Sequence, residues 1–176
     1  GGMMPKILSQ QVGNDSCKEA FPKVYLAGKI YQYCWRHSLV YGLRDHDWTD
    51  GFLPQEQFIY VGPFFTSCDH GCYHKAGSHG GGTGCSEDRD IQRADVAAKC
   101  ISALNQSDLV FCYVDSLDCH GTLFELGWAR KSNIPIVMAF GPGLANSQDN
   151  AFWFACNFAA LVFYDVPKPE LRRVFY

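Results

Sequence analysis

The stretch Ser107–Ala129, SDLVFCYVDSLDCHGTLFELGWA, decides the fold. Its Leu109–Val114 portion is apolar throughout, with Asp108 and Asp115 at its two ends, the pattern of a strand buried on both faces. Gly121 breaks that run. Thr122–Arg130 follows with apolar residues at Leu123, Leu126 and Ala129, a helical spacing. In an open α/β sheet, ligands bind where the carboxyl end of a strand meets the start of a helix. Asp115 and Asp118 lie in the loop feeding that helix, and Glu125 reads as a residue of its first turn. The helix dipole favours negative charge there, so Glu125 is expected to stay ionised near neutral pH. An ionised carboxylate in a fixed position can act as a nucleophile.

Working outward, Lys23–Ala27, Phe58–Val61, Ile134–Phe140 and Leu161–Tyr164 read as four further strands. Trp35–Leu43, Asp88–Leu104 and Asp149–Asn157 read as helices, and Arg44–Gln57 is polar and turn-rich. Strands alternating with helices predict an α/β fold, a doubly wound parallel sheet with helices on both faces. The expected sheet is five-stranded and flavodoxin-like, with strand order 2-1-3-4-5, in a single domain over residues 23–176. Residues 1–22 are polar and irregular and read as an arm outside it.

The chain has 176 residues, enough for one well-buried domain and short for two. It is 47% hydrophobic and 19% charged, a globular composition. Its net charge of −3, without a long basic run, argues against a duplex nucleic acid partner. No apolar run reaches the ~20 residues of a membrane span, and the first residues lack the apolar core of a signal peptide. Nine cysteines, scattered over strands, helices and loops, suggest reduced thiols and a cytoplasmic setting.

Phe64–Glu87, FFTSCDHGCYHKAGSHGGGTGCSE, has neither helical nor strand periodicity. Cys68, Cys72, His74, His79 and Cys85 are thiol and imidazole groups of the kind zinc prefers, and the glycines would let a short loop wrap an ion. There is no CxxC pair, however, and the same residues read more readily as a polar lid whose histidines hydrogen-bond a substrate, or as a loop ordered by neither.

Gly28-Lys29 closes the first strand in a turn of the kind that brings backbone N–H groups to a sugar or phosphate. Lys29 and Arg36 beside it are candidates to hold a phosphate, and equally ordinary surface charges.

Tyr25-Leu-Ala-Gly28, Gly62-Pro63, Ser107-Asp108 and the run Asp118-Cys-His-Gly121-Thr-Leu-Phe-Glu125-Leu-Gly127-Trp-Ala129 together resemble the nucleoside 2-deoxyribosyltransferase superfamily, which includes nucleotide N-glycoside hydrolases. The resemblance runs from Val24 to Phe163, with an insertion between Pro63 and Arg89. It implies cleavage of the N-glycosidic bond of a nucleoside or nucleotide, with the sugar passed to another base or to water. Glu125 would be the nucleophile, Asp118 the second acidic group at the departing base, and Tyr25 an active-site partner. Gly28, Lys29, Gly62, Pro63 and Gly121 would line the substrate site, joined by Asn150 reaching a neighbouring subunit. The protein would then be a homo-oligomer needing no cofactor for its chemistry, with zinc at the cysteine and histidine segment a structural addition. Two departures stand out. The Asp118–Glu125 interval is seven residues, one longer than in some members, and Cys100 stands where the family often has Asp. An enzyme acting on an NAD-derived nucleotide and a non-catalytic nucleotide-binding module are the competing readings.

Overall fold

In a computed structural model of the chain, which describes residues 21–31, 34–46, 51–63, 93–144 and 152–176, every residue of β4 (Leu109–Val114) is buried. Two parallel neighbours make this so. On one side lies β1 (Lys23–Ala27), paired from Val24↔Leu109 to Ala27↔Cys112. On the other lies β5 (Ile136–Phe140), paired from Val110↔Ile136 to Val114↔Phe140. Beyond them come β3 (Ile59–Gly62), parallel to β1, and β6 (Leu161–Phe163), parallel to β5.

The described residues hold a six-stranded, mostly parallel sheet, not the predicted five-stranded one. The additional strand is β2 (Leu53–Pro54), antiparallel to β3 at the sheet edge, so the order in chain numbering is β2-β3-β1-β4-β5-β6. Nothing in the polar, turn-rich 44–57 sequence signals a strand. Pro54 is tolerated because an edge strand can leave one side unpaired.

Side chains alternate across the sheet. Val24, Leu26, Phe111, Tyr113, Val137 and Ala139 join one core cluster. Tyr25, Ala27, Val110, Cys112, Val114, Met138 and Phe140 join the other. The second face is covered by α1 (Arg93–Asn105) and α2 (His120–Lys131), through Ala103, Leu104, Leu126 and Ala129. Beside them lies the short α3 (Trp153–Cys156), and Phe152 before it is fully buried. The first face is covered differently from expectation. Trp35–Leu43 forms no α-helix: a 3-10 turn spans Trp35–Ser38, and Gly42 adopts a left-handed conformation at φ 78°. Trp35 is fully buried against Phe111 and Tyr113, so tertiary contacts override the local helical spacing. A C-terminal helix, α4 (Leu171–Phe175), completes that face by burying Leu171 and Phe175.

Of the predicted arm, residues 1–20 lie outside the described residues. Pro22 is docked, its carbonyl accepting the Ile59 N–H at 2.8 Å. No helix among the described residues is long and apolar enough to cross a membrane.

Candidate active site

Tyr25 sits in the middle of β1, fully buried, with its side chain on the α1/α2 face. Its ring fits because Gly62 ends β3 beside it: a Cβ on Gly62 would stand 2.8 Å from a Tyr25 ring carbon. The tyrosine hydroxyl crosses to α2 and donates to Glu125 Oε1 at 2.5 Å. The sheet and the helix thereby join two residues 100 positions apart.

The environment of Glu125 differs from the sequence expectation. Helix α2 starts at His120 and includes Gly121, so no acidic residue falls in its first turn. Burial pushes the Glu125 carboxyl up to about 7, while the Tyr25 hydroxyl and the Arg36 guanidinium pull it back down. Near neutral pH the group is therefore poised between its two forms instead of being held ionised by the dipole. Desolvation, the larger effect, comes from atoms of other elements. Burial also raises the Tyr25 hydroxyl well above its ordinary range, with Glu125 and then Cys100 adding to the shift. Tyr25 is thus a neutral hydrogen-bond donor. Cys100, on α1, is close enough to influence it.

A second polar group forms where β1 and β4 end. Lys29 Nζ lies 2.6 and 2.5 Å from the two Asp118 oxygens and 3.5 Å from the Ser116 hydroxyl. Ser116 also donates to Asp118. These contacts, Lys29 foremost, bring the Asp118 carboxyl down to about 2, although its side chain is 64% exposed. Asp118 is consequently an anion throughout the neutral range and has no proton to give. That narrows its expected role to holding a protonated group.

Arg36 is not placed to hold a phosphate. It is fully buried and donates to the carbonyls of Leu26, Gly28 and Lys29, bracing the turn after β1 from within. Gly28 is required by that turn. Its φ is +150°, and a Cβ there would stand 2.6 Å from the Tyr113 carbonyl oxygen of β4. Gly28→Ala is expected to lower stability by roughly 2–4 kcal/mol, because backbone and not a yielding side chain blocks the methyl group. Urea unfolding would read this as a lower midpoint with an unchanged slope.

Gly121 is exposed, and a Cβ there would meet nothing within 4 Å, so no close approach demands glycine at this position. Pro63 is buried and its carbonyl accepts the Tyr60 hydroxyl at 2.5 Å. Tyr176 packs on the opposite face of the sheet, its hydroxyl donating to the Leu39 carbonyl at 3.2 Å. With Tyr41, Gln55, Glu56 and Arg172 it borders a groove of about 450 Å³ that includes none of the predicted site residues. Asn150 and the zinc candidates Cys68, Cys72, His74, His79 and Cys85 lie outside the described residues. Among the described residues no group of three or more His, Cys, Asp or Glu side chains could hold a metal ion.

One cluster went unread in the sequence. Tyr31 donates to Asp115, and Lys168 reaches the Tyr31 hydroxyl at 3.4 Å. The other Asp115 oxygen and the Trp35 indole nitrogen are buried without a partner among the described residues. Tyr31 and Lys168 stand 137 residues apart, so no local pattern could have announced their contact.

These features define an α/β protein with a buried tyrosine hydrogen-bonded to a half-buried carboxylate on one face of its sheet, and a lysine–carboxylate pair at the strand ends beside it. No protein-family model matches the chain, and no curated protein matches it.

Proposed function

We propose that the chain breaks the N-glycosidic bond of a nucleoside or nucleotide, with Glu125 as nucleophile, as its resemblance to the nucleoside 2-deoxyribosyltransferase superfamily implies. The observation that supports this reading best is the 2.5 Å hydrogen bond from Tyr25 to Glu125. It joins two of the separate sequence pieces on which the resemblance rests. Under this reading the parallel strands β3-β1-β4-β5-β6 form a flavodoxin-like doubly wound sheet.

Tyr25 holds Glu125 Oε1, and Oε2 is the atom offered to the anomeric carbon. Attack forms a glycosyl ester as the bond to the base nitrogen breaks, its electron pair leaving with the base. The departing base takes its proton from solvent, and the Asp118 carboxylate steadies the protonated form. A second base or a water then attacks the same carbon and releases the Glu125 carboxylate. The chemistry needs no cofactor. A zinc ion at the 68–85 cysteines and histidines would be structural, Asn150 would serve a neighbouring subunit, and the setting would be cytoplasmic.

Because the nucleophile must be ionised, its position near 7 makes the rate pH-dependent. The kcat/KM of the free protein is expected to rise through that value and level off above it, with roughly a tenth of the plateau one pH unit below. A profile flat from weakly acidic to alkaline pH would remove Glu125 ionisation from the mechanism.

The deciding experiment incubates the protein with a panel of nucleosides, nucleotides and NAD, with and without an acceptor base, and measures free base by chromatography. Base release that yields a new nucleoside only with an acceptor marks transfer, and release without one marks hydrolysis. Release of nicotinamide alone would move the reading to an NAD-derived substrate. Tight binding with no base released from any compound would make the chain a nucleotide-binding module.

A further inference from the structure

The chain winds outward from β1 to β3 on one side of the sheet and from β4 to β5 on the other, so β1 and β4 flank the point where the winding reverses. Ligands of open α/β sheets bind outside the strand ends at such a point. The loops leaving β1 and β4 there are tied together twice. Lys29 bonds Ser116 and Asp118, and Tyr31 donates to Asp115. The two ties differ. Asp118 is exposed, and Lys29 engages both of its oxygens. Asp115 has Oδ2 held by Tyr31, while its Oδ1 is buried with no partner among the described residues. Tyr31 is itself steadied, because Lys168 Nζ reaches its hydroxyl at 3.4 Å and lies 5.2 Å from the ring centre. A buried acceptor without a donor is costly to a fold. One whose carboxyl is already held by its other oxygen is preorganised for a donor that arrives from outside.

We infer, resting on the proposed cleavage of a nucleoside or nucleotide, that Asp115 is a substrate-binding residue whose Oδ1 accepts a hydrogen bond from a ring hydroxyl of the sugar, with Tyr31 as the residue that positions it. Chemistry selects the hydroxyl. An aspartate oxygen without a proton only accepts, so it takes an O–H or N–H and turns away the acceptor oxygens of a phosphate. Among a nucleoside's donors, the N–H groups belong to the base, which the proposed mechanism sets at Asp118. The sugar hydroxyls are the donors left for Asp115. Asp115 and Asp118 stand three residues apart in one loop, so at most about 11 Å separates their Cα atoms and one small molecule can meet both. Asp115 thereby selects the sugar, whereas Glu125 and Asp118 serve the bond that breaks.

Compounds that differ by a single hydroxyl test it. Ribonucleosides and their 5′-monophosphates are compared with their 2′-deoxy and 3′-deoxy counterparts, by base release for kcat/KM and by calorimetry for Kd. The wild-type chain is expected to favour the hydroxylated compound over one of the two deoxy forms by roughly ten- to a hundredfold, as a site built around a buried acceptor does. The deoxy form that is rejected tells whether the C2′ or the C3′ hydroxyl is held. Asp115→Ala should bring that ratio close to one, by weakening the hydroxylated compound more than the deoxy one, where a merely structural residue would weaken both alike. Tyr31→Phe releases Oδ2 and should shrink the ratio less. Circular dichroism checks folding, and should Asp115→Ala fail to fold, Tyr31→Phe decides by the same ratio. A wild-type chain indifferent to both hydroxyls, or a preference that the folded variants leave unchanged, would overturn the inference and give the Oδ1 position to a water. Base release alongside that result would leave the proposed activity standing. Hydroxyl-dependent binding that Asp115→Ala abolishes, without base release from any compound, would remove the activity and keep the site. A chain that binds none of the compounds would overturn both.

Discussion

Glu125→Gln is expected to reduce turnover by several orders of magnitude while substrate binding persists. Glutamine keeps the shape and can still accept the 2.5 Å hydrogen bond from Tyr25, but it forms no ester and carries no charge. A group that acts mainly in the transition state is lost from kcat more than from binding. Single-turnover assays beside calorimetric binding separate the two, and base release at the wild-type rate would sink the nucleophile assignment. The same substitution has a stability signature of predictable sign. The folded-state carboxyl is raised from 4.5 to about 7, so folding holds its proton more tightly than the unfolded chain does. Stability associated with this group is complete below the unfolded value and falls as pH rises through the folded one. The loss reaches at most roughly 3 kcal/mol. Glu125→Gln should therefore match wild type in mildly acidic solution and exceed it in alkaline solution, measured by urea unfolding at the two extremes.

Asp118→Asn should have the second-largest effect, a fall in kcat of ~10²–10⁴-fold, the range for a lost group that handles a proton or a protonated partner. With Asp118 ionised from about 2 upward, its loss should leave the inflection near 7 in place. A variant whose profile loses that inflection would assign it to Asp118 and contradict the ion pair with Lys29. Folding should be little altered, because the side chain is exposed and its partner Lys29 remains partly solvated.

The sheet was largely legible because its strands announce themselves locally. Leu109–Val114 and Ile136–Phe140 are continuous apolar runs, and only a strand covered on both faces uses such runs in pieces this short. Glu125 and Tyr25 stand in motifs legible in the sequence, whereas the hydrogen bond that joins them across 100 residues is not. Less legible was whatever depended on distant residues. Trp35–Leu43 has helical spacing, but Arg36 folding back onto three carbonyls and Trp35 seated under Gly28 shape a 3-10 turn over Trp35–Ser38 instead. The edge strand β2 contains a proline and has no periodicity to read, and exists because β3 offers it a partner.

The sequence by itself determined the alternation of strands and helices, the two-sided burial of the central strands, and which carboxylates stand near a strand end. These follow from patterns a few residues long, fixed by the backbone repeat. Tertiary structure alone decided the state of those carboxylates. Glu125 is pushed toward neutrality because the fold closes around it, and Asp118 is held as an anion because β1 delivers Lys29 to it across 89 residues. A side chain's charge depends on the water and the charges within a few ångströms, and the chain's long-range packing sets both.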